Sequence, residues 1–251
     1  MRYEELMLRY LQRLGLTRPP MPTWPTLCRL VSAHLECVPF ENLDIVSGFD
    51  AALTSEATLH KVVIRRRGGF CYELNEAFGR LLAHLGFSVT RIEAQVWSPV
   101  RHSFGPPFDH LALVVALPEG KFLTDVGFGD NNRRPLRLPA DSLTDISGHY
   151  SLQPATDGVW LLSRQDRPLY RMTLEPRELQ AFEGMYRFHR SSPESFFGQG
   201  LICTCATRTG RVTMNAQGLN IVAGGKRWDI PFTDPDRVLE QYFGIVKEPT
   251  C

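Results

Sequence analysis

The chain has no excess of charge of either sign and no long apolar run. Lys and Arg number 28 and Asp and Glu number 27, so the formal net charge is +1. A near-neutral chain has no overall electrostatic attraction to nucleic acid or to a membrane surface. The longest apolar runs, such as residues 111–117, are too short to cross a bilayer. We therefore expect neither nucleic acid nor a membrane as a partner.

The sequence also lacks a signal peptide and a C-x-x-C pair. Residues 1–16 carry acidic side chains and helical periodicity in place of an apolar signal core. We therefore expect a cytoplasmic protein, in which a disulfide framework is rare. Cys203 and Cys205 lie two residues apart, on one face of a strand, which suits packing better than a zinc site. No metal is expected. The six cysteines are Cys28, Cys37, Cys71, Cys203, Cys205 and Cys251.

What is present is an ordinary globular composition with two kinds of periodicity. The 251 residues are 43% hydrophobic and 22% charged, which excludes a disordered chain and a collagen-like one. Apolar spacing of 3.6 residues predicts helices in the first third, ending at Gly86 as a C′ residue. They cover residues 3–14, 27–35, 55–65 and 71–85.

After Gly86 the apolar period changes to two, which predicts a β-rich middle and a mixed final part. The predicted strands are 89–97, 111–117, 121–126, 150–153, 159–163, 169–174, 201–207, 211–215 and 218–222, with helices at 178–186 and 236–243. Asp234 is the predicted N-cap of the last helix, with Pro235 at its first position. Helices followed by strands and then by mixed elements predict an α+β fold built from sub-domains.

The segment RGGFCYELN at residues 67–75 carries the strongest chemical signal. Gly68 and Gly69 predict a tight turn with unusual φ angles, and a helix follows at once. Cys71 is therefore expected at a helix N-terminus, where the helix dipole and free N–H groups favour the thiolate that a nucleophilic cysteine needs. A free cysteine is also often only a small buried hydrophobe.

A base and an acid follow downstream. Asp109 and His110 open one predicted strand and Asp125 closes the next, with a hairpin loop at 118–120 between them. If Ala116 pairs with Lys121, His110 lies opposite Gly127. Asp125 is then its diagonal neighbour on the same face, about 7 to 8 Å away between backbones.

Asp125 would orient the His110 imidazole toward the Cys71 thiol, as in a catalytic triad. A slip of one residue in the register would separate the two side chains. His110 alone could be a satisfied strand-end histidine, and Asp125 alone a turn residue. The order Cys71, His110, Asp125 with a geometric route between them favours catalysis.

At this point the chain resembles an arylamine N-acetyltransferase, over nearly its whole length and in order. The matching motifs are VPFENL at 38–43, RGGFCYELN at 67–75, HL at 110–111, DVGFG at 125–129, HRSSPESF at 189–196 and YFGI at 242–245. The resemblance implies an N-terminal helical bundle (1–86) with the nucleophile and a central β-barrel (87–176) with His and Asp. It further implies a C-terminal α/β lid (177–251) over a cysteine-protease-like catalytic core.

The resemblance also implies the reaction and its substrates. Acetyl-CoA would be the donor co-substrate of a ping-pong reaction, with Cys71 as the acetyl carrier, His110 as the base and Asp125 as its orienting acid. The acceptor would be an arylamine, a hydrazine or an N-arylhydroxylamine.

Further positions have roles that the resemblance suggests. Glu41 and Arg67 lie in two family motifs, and their charges would pair near the nucleophile. The region around residues 100–107 meets the coenzyme A pyrophosphate in the family, and it is not a Walker loop. Residues for an aromatic acceptor are Phe40, Phe70, Phe128 and Gly129, and residues for coenzyme A are Arg101, Ser103 and Gly105.

Other enzyme classes carry the same three groups. Thiol hydrolases and transglutaminase-like enzymes use Cys, His and Asp, and a hydrolase would admit water to the thioester. An acyltransferase or amide synthase of the same fold would use another acyl donor, such as malonyl-CoA. A non-catalytic binding module would be expected to have lost one of the three residues, and all three are present. The sequence leaves the oligomeric state open.

Overall fold

Helices form the first part of the protein, as their apolar spacing predicts. The computed structural model describes residues 2–156 and 158–246. Thr23 caps α2 by accepting a hydrogen bond from the Thr26 N–H. The predicted third helix is α-helical only at its start and continues as a π-helical turn, His60–Ile64. The helices of this part are α1 (Tyr3–Arg13), α2 (Trp24–Cys37), α3 (Leu43–Val46), α4 (Ser55–Leu59) and α5 (Cys71–His84).

An antiparallel sheet forms the middle of the chain and curls into a nearly closed barrel. Its strands follow the order β6-β5-β4-β2-β10-β9-β8-β7, with β3 paired to β2. The two end strands are consecutive in the chain, and the Arg137 N–H donates to Asp141 Oδ2 between them, at 3.0 Å. The strands are β2 (Ser88–Ser98), β3 (Ser103–Phe104), β4 (His110–Leu117), β5 (Gly120–Thr124), β6 (Leu136–Arg137), β7 (Asp141–Asp145), β8 (Gly148–Pro154), β9 (Val159–Arg164) and β10 (Arg167–Thr173).

The last part is an α/β unit whose sheet includes a strand from the first part. Its order is β1-β11-β12-β13-β14, so β1 (Phe40–Glu41) joins the helical region to this sheet. The segment predicted as one helix at 178–186 is a 3₁₀ turn, Leu179–Phe182, followed by α6 (Glu183–Ser191). The remaining elements are a second 3₁₀ turn (Phe196–Gly198), β11 (Ile202–Thr207), β12 (Gly210–Asn215), β13 (Gly218–Ala223), β14 (Lys226–Ile230) and α7 (Pro235–Phe243).

Three apolar clusters fill the three parts. The first packs the N-terminal helices against one face of β4. The second fills the barrel around Tyr150 and Tyr170. The third lies between the C-terminal sheet and α7. The α+β fold with helices, barrel and C-terminal α/β unit is therefore confirmed.

The hairpin register on which the triad prediction depends is confirmed in part. Ala116 pairs with Lys121, and the ladder ends at the pair Leu113 and Thr124. Asp125 lies just beyond the strand, so the predicted opposition of His110 and Gly127 is wrong. The reason is that β5 ends before Asp125, whose carboxylate accepts the Gly127 N–H in a local turn, at 2.8 Å.

The cysteines are free thiols in the part of the chain that the structure covers. Cys203 and Cys205 are both buried in β11, and the Cys205 thiol donates to the Leu35 carbonyl oxygen at 3.4 Å. Cys251 lies outside the described residues. Among residues 2–156 and 158–246, no helix is long and apolar enough to cross a membrane.

Candidate active site

Cys71 is the first residue of α5, as the motif predicts. Gly68 and Gly69 do not have positive φ angles, so the predicted unusual φ is wrong. They are needed for close packing instead. A Cβ on Gly68 would lie 1.9 Å from the Pro39 carbonyl oxygen, and one on Gly69 would lie 2.5 Å from Glu73 Oε2. The two glycines let β1 and the Glu73 side chain pack directly against the turn that leads to Cys71.

Gly127 lies against the backbone of Cys71 from the barrel side. A Cβ on this residue would lie 2.7 Å from the Cys71 Cα and 2.6 Å from Asn75 Nδ2. Any side chain here would push the loop after Asp125 away from α5. The barrel and the helix therefore meet at backbone contact distance next to the thiol.

His110 and Asp125 form a buried pair beside Cys71. His110 Nε2–H donates to Asp125 Oδ2 at 2.8 Å, and the Cys71 side chain also interacts with the imidazole. Burial alone would favour the neutral ring, but the Asp125 carboxylate and the Cys71 contact outweigh it and raise the pKa of His110 to about 10. Burial would likewise raise the pKa of Asp125, yet His110 holds it below its usual value.

Four more groups hold the Asp125 carboxylate in place. Oδ1 accepts from Asn75 Nδ2 at 2.9 Å and from the Gly127 N–H at 2.8 Å. Oδ2 accepts from the Tyr170 hydroxyl at 3.0 Å and from Asn131 Nδ2 at 3.3 Å, in addition to His110. Both oxygens are therefore fully used, and the carboxylate cannot rotate away from the imidazole.

Sequence reasoning missed Asn75, Asn131 and Tyr170 as parts of this site. Asn75 follows Cys71 by four residues, so its place on the same helix face was a usable signal. Asn131 is in a loop six residues after Asp125. Tyr170 comes from β10, 45 residues further along, and no local pattern marks it.

The aromatic residues predicted for substrate binding occupy different environments. Phe128 is half-buried, with its ring centroid 5.5 Å from that of His110 in an edge-on contact. Phe40 is buried and packs against Gly129, which has a φ of 85°. Phe70 is 1% exposed and stacks on Tyr186 in the core, with centroids 5.3 Å apart.

The loop predicted for coenzyme A is partly folded as a strand. Ser103 belongs to β3 and pairs with Ser98. The Gly105 N–H donates to the Val96 carbonyl oxygen at 2.8 Å, and the role of Gly105 toward coenzyme A stays a prediction. Arg101 and Ser103 are exposed.

Glu41 and Arg67 belong to a larger cluster of buried charges next to the RGG turn. Arg67 Nη2 lies 2.9 Å from Glu41 Oε1 and 3.0 Å from Asp44 Oδ1. Lys61 Nζ lies 2.8 Å from Asp44 Oδ2 and 2.9 Å from Glu73 Oε2. Sequence analysis identified only the first pair, because Lys61 and Asp44 lie outside the motif that contains Cys71. No group of three or more His, Cys, Asp or Glu side chains that could hold a metal occurs within the described ranges.

Comparisons with known proteins identify the family. A family model described as N-acetyltransferase matches residues 23–249. An arylamine N-acetyltransferase of Mycolicibacterium smegmatis is 35% identical over 254 residues, covering 94% of this chain and 90% of that protein.

Solved structures are similar over the whole fold. The Mycobacterium marinum arylamine N-acetyltransferase in complex with CoA has a TM-score of 0.86 and 31% identity, with 95% of this chain and 92% of that chain covered. An enzyme of Bacillus cereus, described as having a unique Cys-His-Glu catalytic triad, has a TM-score of 0.90 at 22% identity, with 98% and 100% covered. That second likeness supports the fold alone. On the family match and the identity to its relatives, this chain belongs to the arylamine N-acetyltransferase family.

Proposed function

We propose that this protein transfers an acetyl group from acetyl-CoA to an arylamine, a hydrazine or an N-arylhydroxylamine through a thioester on Cys71. The observation that carries the proposal is the buried chain of contacts from Cys71 through His110 to Asp125, at the start of α5. Membership of the family supports the acetyl-transfer chemistry, and Cys-His-Asp is the set of groups that a thiol nucleophile needs.

In the first half-reaction, Cys71 attacks acetyl-CoA. Because the pKa of His110 is raised to about 10, the ring is an imidazolium at neutral pH and favours the thiolate of its neighbour. The Cys71 sulfur bonds to the acetyl carbon and the bond from that carbon to the coenzyme A sulfur breaks. The His110 proton then passes to the departing coenzyme A thiolate.

In the second half-reaction, the acceptor nitrogen attacks the thioester carbon. Neutral His110 takes the proton from that nitrogen, the bond from carbon to the Cys71 sulfur breaks, and the thiolate–imidazolium pair is restored. Asp125 stays ionised throughout, since its role is to hold the ring and stabilise its positive charge.

The binding residues are part of the same proposal. Phe128, edge-on to His110, would contact an aromatic acceptor, together with the adjacent Gly129 and with Phe40, whose ring packs against Gly129. Phe70 is buried against Tyr186 and would contribute only through core packing. Binding of CoA by the Mycobacterium marinum relative supports coenzyme A as a ligand, and the exposed Arg101 and Ser103 would contact it. The C-terminal α/β unit would act as a lid over the site.

The test is to trap the acetyl-enzyme. We expect acetyl-CoA without amine, quenched early in acid, to leave one acetyl group on the intact protein, mapped to Cys71. Addition of an arylamine or a hydrazide before the quench removes the group and releases the N-acetyl product. Parallel reactions with propionyl-CoA and malonyl-CoA define the donor.

The control variants are Cys71→Ser, which should carry no acetyl group, and Cys37→Ser, which removes an exposed thiol and should behave as wild type. Absence of any adduct while both substrates together give product would indicate direct transfer. Rapid loss of the adduct to water, unaffected by amines, would indicate a thiol hydrolase.

A further inference from the structure

Glu73 links the start of the nucleophile's helix to a buried lysine. It is the third residue of α5, and its Oε2 accepts a hydrogen bond from the Phe70 N–H at 3.2 Å. This contact satisfies a backbone donor that the helix start would otherwise leave free. The same carboxylate receives Lys61 Nζ on both oxygens, at 3.0 and 2.9 Å.

Lys61 reaches Glu73 from the π-helical turn His60–Ile64. π-helical turns are rare and are frequently found at functional sites. The lysine is 6% exposed and also lies 2.8 Å from Asp44 Oδ2. Burial would lower the pKa of Lys61, but Glu73, Glu41 and Asp44 outweigh it and raise the pKa, so the ammonium group stays charged.

The charge of Glu73 has two opposite effects on the site. A carboxylate in the first turn stabilises the helix through its dipole. However, Glu73 is only two residues from Cys71. Its negative charge disfavours the Cys71 thiolate, because like charges in a buried region repel. A cation in contact with both Glu73 oxygens cancels this repulsion while it leaves the hydrogen bond to Phe70 intact.

We propose that Lys61 is a positioning residue for the reaction: it neutralises Glu73, so that the carboxylate can cap the helix without suppressing the Cys71 thiolate. The proposal rests on the proposed nucleophilic role of Cys71. Lys61 acts through Glu73. The ion pair would therefore set the pH range in which the thiol reacts.

Other charged and titratable groups surround these side chains. Cys71 faces His110 from β4 and its own neighbour Tyr72. Glu73 accepts from the Tyr186 hydroxyl of α6 at 3.4 Å. The groups around Lys61 are Asp44 of α3, Glu41 of β1 and, bound to both, Arg67. None of these is changed in the variants below, so their contribution is common to all.

The experiment measures the rate at which iodoacetamide alkylates Cys71 as a function of pH, by peptide mapping of full-length protein. Glu73→Gln keeps the helix cap, removes the negative charge and leaves Lys61 positive. In this variant, the midpoint of the curve of Cys71 alkylation rate against pH should fall by about one pH unit. This is the order expected for one charge at an effective dielectric constant of about 20. At a fixed pH below the midpoint, Cys71 then reacts about tenfold faster.

Lys61→Met should raise the midpoint. The double variant Lys61→Met/Glu73→Gln should have a midpoint close to that of wild type. Opposite shifts are a readout that a purely structural role would not produce, since lost packing would slow or speed both single variants alike. Glu76→Gln, which removes another buried carboxylate of α5 that is bound by Arg91 and Arg80, should shift the midpoint by less than half as much. Alkylation of the exposed Cys37 in the same samples serves as the internal reference.

Shifts in the same direction for the two single variants, or an unchanged midpoint in both, would overturn the proposal. If Lys61→Met does not fold, the Glu73→Gln variant is the deciding test. Alkylation of Cys71 that is slower than in wild type or unchanged at low pH would then reject the proposed role of Lys61. Alkylation needs no acetyl donor, so this result is independent of the acetyl-enzyme test. Failure of that test alone would reject the proposed function without changing the measured pH profile.

Discussion

At the scale of single residues, the site depends on groups that have no freedom to move. Asp125 accepts hydrogen bonds on both oxygens, from Asn75, Gly127, Asn131 and Tyr170 as well as His110. Because the His110 Nε2–H is held by Asp125, only the other ring nitrogen is left to interact with Cys71. The carboxylate therefore determines both the orientation of the ring and its charge.

Asp125→Asn should lower turnover by at least about 10²-fold, the low end for acid–base catalysis, and in a Ser-His-Asp enzyme the equivalent change costs about 10⁴-fold. An amide cannot stabilise the imidazolium, and its NH₂ group cannot accept the hydrogen bond from His110. Steady-state kinetics on protein with a native circular dichroism spectrum measure this effect. Asp141→Asn, near the start of the barrel's edge strand, is the matched control and should retain activity. A folded Asp125→Asn protein with wild-type turnover would contradict the orienting role.

Gly127→Ala should abolish activity or prevent folding, although it adds only one methyl group. The new Cβ would lie within 2.7 Å of the Cys71 Cα and within 2.9 Å of its carbonyl oxygen, and backbone atoms cannot yield as a flexible side chain can. Thermal unfolding and turnover measure the effect together. Gly184→Ala, in α6, has open space around the added Cβ and should be neutral or stabilising by up to about 1 kcal/mol. Equal behaviour of the two variants would show that the close approach is unimportant.

At the scale of elements, α1 and α2 pack through a buried polar contact. His34 of α2 is fully buried, and its Nε2 lies 2.8 Å from the Tyr10 hydroxyl of α1. Burial, with a smaller contribution from the Arg13 charge, lowers the pKa of His34 to about 3. The folded protein therefore holds this ring neutral in a pH range where the unfolded chain protonates it.

The free energy of unfolding should fall as the pH drops from about 6.5, the ordinary pKa of histidine, toward 3. In that pH range His34 binds a proton in the unfolded state but not in the folded state, so acid favours unfolding. Between pH 7 and pH 5 His34 accounts for about 2 kcal/mol of lost stability at most. Urea unfolding at the two pH values measures it, and His34→Gln should remove this share of the loss. Tyr10→Phe should retain it, because burial is the main cause; a flat profile in the Tyr10 variant would refute that assignment.

At the scale of the whole molecule, the C-terminal unit is attached to the helical part through polar contacts as well as through β1. Asn42 Nδ2 donates to the carbonyl oxygens of Phe197 and Gly200, at 2.8 and 2.7 Å, and its Oδ1 accepts the Ile202 N–H at 2.8 Å. One buried side chain thus satisfies three backbone groups about 155 residues away. Arg133 makes a similar bridge from the barrel to the Thr207 carbonyl oxygen.

Asn42→Ala should destabilise the protein by about 3 kcal/mol, because it leaves three partly buried backbone groups without their partners. It should also increase proteolytic cleavage around residues 196–202 before global unfolding. Denaturant unfolding and limited proteolysis test both effects. Asn220→Ala, which removes a bond to the exposed Asp229 within the same sheet, should stay within about 0.5 kcal/mol. A similar loss in both variants would argue against a special role for Asn42.

The sequence predicted elements well where neighbours along the chain decide them. The helix Cys71–His84 with Gly86 just past its end, the hairpin of β4 and β5, and the cap of α7 by Asp234 all depend on contacts within a few residues. The two-residue strands β1, β3 and β6 were missed because they are too short for any period, and the five-residue strands β7 and β14 were missed as well. The boundaries of the three predicted domains stay a prediction.

The sequence by itself determined the fold class, the residue types of the candidate site and their order, because apolar period and motif spacing are local properties. Only the tertiary structure shows that positions 68, 69 and 127 require glycine, because a Cβ on Gly68, Gly69 or Gly127 would clash with neighbouring atoms. Only it shows that Lys61 and Glu73 are buried together. Only it decided that Asp125 reaches His110 from a turn beyond the strand. Contacts of this kind join residues far apart in the chain, and their distances depend on how the elements pack, which no local pattern encodes.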